Sequence, residues 1–133
     1  MKVLASLILL VAQPFLLMQP IQTAFESGDF SALLFVCQDK ISVNFEEPFM
    51  LNGFFFREIF VDEFSLIISE YEINKIEWSS MHIQDRFAVQ SMNLVLKNRR
   101  SERLLYYKFI FFMTRQNTRD KEWKLYYLKG LKL

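Results

Sequence analysis

The chain has 133 residues, of which 52% are hydrophobic and 17% aromatic, and it contains only three Gly and three Pro. This composition excludes a disordered or low-complexity chain, and the length fits one domain that buries a substantial core. Sixteen Lys and Arg against fifteen Asp and Glu give a net charge of +1, so the overall charge does not favour binding to nucleic acid or to an anionic membrane.

The first residues of the chain predict an export signal. Lys2 precedes an apolar run from Val3 to Ala12, which has the length of the hydrophobic region of a signal peptide. We therefore expect residues 1–18 to be a signal or apolar segment, and residues 19–133 to form one exported domain, periplasmic or secreted, without a stable membrane span. The cleavage site is poorly defined, because Ala12 has no small partner two residues earlier. An uncleaved membrane anchor and the first helix of a cytoplasmic domain therefore stay as alternatives.

Cys37 is the only cysteine, so the chain has no internal disulfide and no cysteine-based metal cluster. It follows the apolar run from Ala32 to Val36, where a thiol behaves as a small buried hydrophobe. A reactive thiol needs an electropositive, partly exposed site instead. We therefore predict a structural role for Cys37.

Two helices are predicted near the start of the domain. Pro20 suits the first position of a helix whose apolar residues begin at Ile21. Gly28 can end this helix in the left-handed conformation, and Asp29 can then cap a second, short helix over residues 30–37.

A strand, a turn and a third helix follow. Apolar and polar residues alternate between Ile41 and Phe45, which predicts a half-buried strand. The dipeptide Asn52-Gly53 predicts a turn. Apolar residues then recur at helical spacing, which predicts a third helix over residues 57–69.

The second half of the chain predicts a meander of strands. Period-two patterns place four strands at residues 73–80, 86–97, 104–114 and 123–132. Short polar connections make successive strands antiparallel neighbours. With three helices in the N-terminal half, the order of elements predicts an α+β fold, in which the helices pack on one face of a curved, mostly antiparallel sheet.

The predicted strand 104–114 has two unlike faces. One face is apolar without interruption and consists of Leu105, Tyr107, Phe109, Phe111 and Met113. We expect this face to pack under the helices. The opposite face carries Tyr106, Ile110 and Phe112 around Lys108, which is too apolar for a face open to water. We therefore hypothesise a homodimer that packs through Tyr106, Ile110 and Phe112.

Three segments of the chain resemble a family of small exported bacterial domains of unknown function. They are residues 21–33 with the corner Ser27-Gly28-Asp29, the Gly53-Phe54-Phe55 turn into a helix, and the closing meander of strands. That family is similar to the nuclear transport factor two-like proteins, which are also called ketosteroid isomerase-like or cystatin-like and have a cone-shaped α+β fold.

The resemblance implies this fold over nearly the whole chain after the signal, and a pocket between the helices and the concave face of the sheet. It does not imply an activity, because the fold hosts enzymes, transport factors and assembly domains. The chain departs from the family pattern at Phe56, where a polar residue would cap the third helix. Loss of such a cap costs about 1 kcal/mol.

Candidate catalytic residues are few. His82 is the only histidine, and it falls in a predicted connection between strands, without the clustered acids of a zinc site. Enzymes with this fold use an acid or a histidine inside the cone, and the acids on predicted elements are Asp62, Glu63 and Glu77. The first two lie off the apolar face of the third helix, and Glu77 is out of register with its apolar neighbours. We therefore predict solvated acids and no catalytic residue, metal ligand or cofactor.

Other charges are predicted in loops. Glu46 and Glu47 precede Pro48, where they are expected to keep a turn in water rather than to bind a cation. Two clusters of basic residues occupy predicted hairpin tips. The first cluster consists of Lys97, Arg99, Arg100 and Arg103, and the second consists of Arg115, Arg119, Lys121 and Lys124. Because neighbouring strands alternate in direction, these clusters should lie at opposite ends of the sheet. They would not form one nucleic-acid track, so we expect no nucleic-acid partner.

Two function classes stay open. The first is a non-catalytic exported binding or assembly domain, which holds a protein partner or a small apolar ligand near Trp78. The second is an enzyme of the isomerase or cyclase type that uses a single buried acid in the cone. An enzyme requires an ionisable group with a shifted pKa in its pocket, and the predicted inward faces are almost free of acids, which favours the first class. If Phe side chains fill the cone, only the protein-contact role is left.

Overall fold

The structure is a computed structural model that describes residues 18–116 and 122–133. In these residues, helix α1 covers 18–27, a 3₁₀ turn covers Phe30–Ala32, α2 covers Leu33–Val36 and α3 covers Arg57–Ser69. The strands are β1 (Cys37–Phe45), β2 (Asn52–Phe56), β3 (Tyr71–Trp78), β4 (His82–Gln84), β5 (Phe87–Asn98), β6 (Leu104–Thr114) and β7 (Lys124–Lys132).

The strands form one curved sheet in the order β2-β1-β7-β6-β5-β3, and β4 pairs with β5. Strands β1 and β7 run parallel, and the other neighbouring pairs are antiparallel. The predicted meander is therefore confirmed as β3, β5, β6 and β7. The helices pack on the concave face, which gives the predicted α+β cone.

Helix α3 anchors the core because one side of it faces the concave sheet. The Phe64 ring centroid lies 5.8 Å from that of Phe45 on β1 and 5.7 Å from that of Phe109 on β6. Phe60, one helical turn earlier, stacks on Phe64 at 5.5 Å. All of these side chains are fully buried, so the aromatic residues of α3 join both halves of the sheet.

Several predicted elements are confirmed closely. Helix α3 has the predicted bounds of residues 57–69, and β6 has the predicted bounds of residues 104–114. Gly28 adopts a positive φ of 79° after α1, and the Asp29 carboxylate accepts a hydrogen bond from the Ser31 amide at 3.1 Å. Phe56 precedes α3 without a side-chain cap, as its apolar side chain requires.

Three local predictions are wrong. Residues 18 and 19 are already helical, so Pro20 is not the first residue of α1. The second helical segment ends at Val36, and Cys37 begins β1, where its pairing with Leu125 of β7 overrides local helix propensity. The dipeptide Asn52-Gly53 is not a turn, because it begins β2 and pairs with Asn44 and Val43 of β1.

A short strand was also missed. Residues 82–84 were predicted as a loop, but they form β4, in which His82 pairs with Val89 of β5. This three-residue strand is exposed throughout. It therefore has no buried face, and no apolar alternation marks it in the sequence.

A close contact between strands holds the corner after β1. The Tyr107 hydroxyl of β6 donates a hydrogen bond to the Glu46 backbone carbonyl at 2.8 Å. The Glu46 carboxylate in turn accepts a hydrogen bond from the Lys132 amide at 3.1 Å. Gly130 of β7 makes room for the Tyr107 ring, since a Cβ atom there would lie only 2.7 Å from Tyr107 Cε2. Glu46 and Glu47 are both exposed, as predicted, and Glu46 also joins the end of β1 to β6 and β7.

The predicted export segment lies almost wholly outside the described residues, so both the signal and the domain boundary at residue 19 stay predictions. Met18, the first described residue, is buried in the core. Among the described residues, no helix has the length and apolar character needed to cross a membrane.

Candidate binding surfaces

The interior of the cone is filled by aromatic side chains. The Phe109 ring lies 5.1 Å from Phe45 and 5.1 Å from Tyr107, and Phe25 lies 5.1 Å from Phe30. Phe45, Phe109 and Tyr107 each expose at most 1% of their surface. A cavity that could hold a ligand would leave its lining side chains accessible to water. These rings therefore occupy the space in which the resemblance placed a pocket.

Polar groups inside the cone are scarce. No acid or histidine among the described residues is buried. Gln90 of β5 is 6% exposed and donates from Nε2 to the Ser79 carbonyl at 2.8 Å, while its Oε1 atom has no partner. Burial, with a smaller effect of the Glu46 charge, raises the pKa of Tyr107 well above its ordinary value. The Gln90 amide does not titrate and the Tyr107 hydroxyl stays protonated near pH 7, so neither group is a general base.

The predicted solvated acids are exposed. Asp62 and Glu63 lie on the outer side of α3, and the Glu77 carboxylate pairs with Lys75 at 3.0 Å. His82 is exposed on β4. Within residues 18–116 and 122–133, no cluster of three or more His, Cys, Asp or Glu side chains could hold a metal ion.

Cys37 is completely buried at the start of β1. Burial raises the pKa of its thiol to about 12, against the smaller opposing effects of the Arg57 and Lys124 charges. The thiol is therefore protonated at neutral pH, as expected of a structural cysteine.

A shallow hollow of about 490 Å³ lies at the rim of the cone, between the ends of α1 and α3 and strand β3. Its apolar floor is formed by Phe25, Phe30 and Ile68, each at most 4% exposed. Arg99 closes one side and donates from Nε to the Ser69 carbonyl at 3.1 Å. Because the floor offers so little accessible apolar surface, this hollow does not extend into the cone.

The convex outer face of the sheet differs from the filled interior, because its aromatic side chains are accessible to water. On β6, Tyr106 is 52% exposed, and Ile110 and Phe112 are half buried. The Phe112 ring stacks on Tyr127 of β7 at 5.0 Å. The residues proposed for a dimer contact therefore do lie together on a face that the described part of the chain leaves accessible.

A groove of about 950 Å³ lies at one end of this outer face. It runs across the end of β2, the starts of β1, β7 and β5, and the end of β6. Its cationic side chains are Lys40, Arg57, Arg86, Arg115 and Lys124, and its acidic ones are Asp39 and Glu122. Exposed Phe54, Phe56 and Phe87 contribute aromatic rings. We call this surface the basic groove.

Sequence patterns indicate only part of the basic groove. Arg115 and Lys124 belong to the second predicted basic cluster, and they are at the opposite end of β6 from Arg100, as predicted. Arg119 and Lys121 of that cluster lie outside the described residues. Lys40 and Arg86 were missed because the sheet order, which the sequence pattern does not reveal, brings their strands to this end.

Comparison with known proteins gives matches at the level of structure. No family model matches the chain, and no curated protein matches it. A DUF4783 family protein from Bacteroides uniformis ATCC 8492 is similar, with a TM-score of 0.69 and 10% identity, over 86% of this chain and 95% of that chain. A proposed dehydratase of the NTF2-like family from Streptomyces avermitilis has a TM-score of 0.64 and 16% identity, over 92% and 96% of the two chains.

The chain has the NTF2-like fold. A proposed isomerase from Rhodopseudomonas palustris also matches, with a TM-score of 0.65 and 14% identity, over 90% of this chain and 88% of that chain. The expected resemblance is thus confirmed for the fold, which the DUF4783 family protein shares. The NTF2-like fold does not decide the activity, because its members carry different functions on one scaffold.

Proposed function

We propose that this protein is an exported, non-catalytic binding or assembly domain that acts through its outer surface. The observation that supports this proposal is the interior of the cone. Aromatic rings such as Phe64 and Phe109 fill it, and no described acid or histidine is buried there. A small-molecule site needs accessible space and a few convergent polar groups, so the filled interior favours protein contact.

The first partner that we propose is a second copy of the chain, packed outer face to outer face. Tyr106, Ile110, Phe112, Tyr127 and Leu131 place apolar surface on adjacent strands β6 and β7. Such a contact is self-complementary, because a two-fold axis brings the same patch of both copies together. The contact would cover aromatic surface that is otherwise exposed to water.

The size of the patch is sufficient for a weak to moderate dimer. Strand β6 has 11 residues, and at about 3.4 Å per residue it is about 37 Å long. Strand β5 flanks β6 on the side away from β7, and the outer faces of these three strands, spaced about 4.8 Å apart, give a width of about 14 Å. Each copy would therefore bury about 500 Å², or about 1,000 Å² in total, which is near the lower limit of specific interfaces.

Sedimentation velocity of the full chain tests this contact. We expect a dimer at micromolar concentration, and a dissociation constant that rises roughly a hundredfold in the variant Phe112→Glu, because a two-fold interface contains the substitution twice. Leu66→Glu is the matched control, since Leu66 is 65% exposed on α3, away from the sheet. A wild-type protein that stays strictly monomeric at about 100 μM would contradict the proposed dimer.

An isomerase or cyclase activity is the alternative. The proposed isomerase and dehydratase among the structural neighbours are its support, but their identity to this chain is low. The polar side chain closest to such a role is Gln90, whose unpartnered Oε1 atom accepts hydrogen bonds but does not titrate. A buried acid is missing from the described interior, so the alternative is less well supported.

Export is the remaining part of the proposal, and the apolar run from Val3 to Ala12 after Lys2 supports it. Mass spectrometry of the protein from its own cell, with separate fractionation, tests this directly. We expect a shortened N-terminus in the periplasmic or secreted fraction. A protein that retains Met1 and fractionates with the cytosol would rule out export.

A further inference from the structure

The basic groove has an excess of positive charge that the whole chain lacks. Five cationic side chains line it against the two acids Asp39 and Glu122, whereas the chain as a whole has a net charge of only +1. Asp39 lies 3.6 Å from Arg57, and Glu122 lies 3.1 Å from Lys124. These acids are highly exposed, at 94% and 72%, so water screens both ion pairs.

Aromatic rings hold the cations of the groove in place. The Lys40 ammonium lies 5.0 Å from the Phe56 ring centroid and 5.8 Å from that of Phe54. On the far side of the groove, the Arg86 guanidinium lies 6.0 Å from the Phe87 ring. Such contacts are favourable within about 6 Å. They fix two cations on opposite walls before any ligand binds, which lowers the entropy cost of recognition.

The start of α3 adds to this field. Phe56 gives the helix no side-chain cap, and Arg57, the first helical residue, lines the groove. The amino-terminal end of a helix carries a partial positive charge. The backbone at the end of α3 therefore acts in the same direction as the lysine and arginine side chains, while the Glu58 carboxylate in the first turn, 3.2 Å from Arg57 Nε, offsets part of this field.

We propose that the basic groove binds an acidic, extended polypeptide segment of a partner protein. Carboxylates would pair with Lys40, Arg86 and their neighbours, while apolar side chains of the segment contact the exposed edges of Phe54 and Phe87. This site lies at the end of the outer face and uses different residues from the proposed dimer patch. The inference therefore goes beyond the proposed dimer and does not depend on it.

The dimensions of the groove suit such a segment. The groove crosses five neighbouring strands from β2 to β5, which is about 19 Å at a spacing of about 4.8 Å. An extended peptide of about six residues has the same length. A compact small molecule would leave most of this open groove unfilled, whereas good small-molecule sites enclose most of their ligand.

A single-stranded nucleic acid is the main competing ligand, because cations beside aromatic rings also bind such strands. Nucleic-acid bases require free ring faces on which to stack. Here the faces of Phe56 and Phe87 are approached by Lys40 and Arg86 instead, and Arg115 lies 4.7 Å from the Trp123 ring. The arrangement therefore presents charge rather than stacking surfaces, which favours carboxylates.

Fluorescence anisotropy with the full chain tests the proposal. The probe is a labelled peptide of alternating glutamate and leucine, and the matched peptide has glutamine in place of glutamate. A labelled oligothymidylate of similar length tests the competing ligand. We expect the wild-type chain to bind the glutamate peptide at least tenfold more tightly than the other two probes.

Two double variants locate the binding site. Lys40→Glu with Arg86→Glu reverses charge on both walls of the groove, and Arg100→Glu with Arg103→Glu makes the same change in net charge at the opposite end of the sheet. We expect the first pair to weaken binding of the glutamate peptide at least tenfold and the control pair to change it less than twofold. If the first pair fails to fold, as judged by circular dichroism, Lys40→Gln with Arg86→Gln replaces it, with at least a threefold loss expected.

Each other outcome overturns the proposal. Equal losses in the two double variants would show that the peptide responds only to net charge. Tighter binding of oligothymidylate would assign the groove to nucleic acid. No binding of the glutamate peptide at low ionic strength, where charge pairing is strongest, would exclude an acidic polypeptide as its ligand.

Discussion

The two faces of β6 differ sharply although they alternate along one strand. Tyr107, Phe109, Phe111 and Met113 point inward and expose at most 1% of their surface, whereas Tyr106 points outward and is 52% exposed. Both faces are rich in aromatic residues, so hydrophobicity alone does not distinguish them. The two faces differ in what packs against them. Helices α1 and α3 cover the inner face, whereas no helix or strand of the described chain packs over Tyr106 on the outer face. The inner face of β6 therefore stabilises the fold, and its outer face is accessible to a partner.

Thiol labelling should give the largest contrast between the faces. Burial raises the pKa of Cys37 from 9.0 to about 12, so at pH 8 its thiolate fraction is roughly a thousandfold below that of an exposed thiol. In the variant Tyr106→Cys, labelled at a protein concentration below that at which the proposed dimer forms, we expect one thiol to react rapidly with Ellman's reagent and Cys37 to react only after unfolding in urea. Rapid labelling of the wild-type native chain would contradict the assignment of Cys37 to the core.

The raised pKa of the Cys37 thiol predicts that the stability of the fold depends on pH. Because the folded state raises the pKa of Cys37, its contribution to stability is complete below the unfolded value near 9.0 and is lost as the pH rises towards about 12. The variant Cys37→Ser, compared with wild type across this range by urea denaturation, should lose less stability with rising pH.

Truncation of a ring on each face should give the next largest contrast. Phe109 contacts Phe45, Phe64 and Tyr107, and Phe109→Ala should lower the free energy of unfolding by about 3–5 kcal/mol. At a protein concentration below that at which the proposed dimer forms, Tyr106→Ala should change it by less than about 1 kcal/mol, because the ring is half exposed in the single chain. Urea denaturation monitored by tryptophan fluorescence measures both. Similar losses in the two variants would mean that the outer face is covered in the isolated protein.

A smaller effect is expected at Gly130. An added Cβ atom would lie 2.7 Å from Tyr107 Cε2 and 2.9 Å from Phe45 Cδ1, so Gly130→Ala should cost about 1–3 kcal/mol through overpacking. Tyr107→Phe removes the hydroxyl that lies 2.8 Å from the same position. In calorimetry, the double variant should therefore lose less stability than the sum of the two single variants. Strict additivity would show that the strands shift to accommodate the methyl group.

Sequence patterns predicted the helices and strands that have one buried side and one exposed side. Helix α3 and strand β6 have the predicted bounds because their buried positions follow helical and alternating periods strictly. Strand β2 was missed because Asn52-Gly53 has the composition of a turn, while its conformation is set by pairing with β1. The parallel pairing of β1 with β7 was not predicted either, since it joins segments that are remote in the sequence.

The candidate sites were predictable to unequal degrees. Alternation along β6 was enough to place Tyr106, Ile110 and Phe112 on one face. The basic groove depends on how β1, β5 and β7 are ordered in the sheet, and local patterns contain no information about that order. The fifteen Phe residues indicated that the cone could be filled by aromatic side chains. They did not distinguish this outcome from an open cavity.

The position of β7 also has a consequence for how the chain folds. This last strand lies between β1 and β6, so the sheet consists of two unconnected parts until residues 124–132 are inserted. Pairings between remote segments, such as Val43 with Leu128, form slowly because a long loop must close first. On a ribosome, the nascent chain therefore cannot complete its sheet until residues 124–132 have left the exit tunnel, so the two parts of the sheet stay separate during most of the synthesis of this domain.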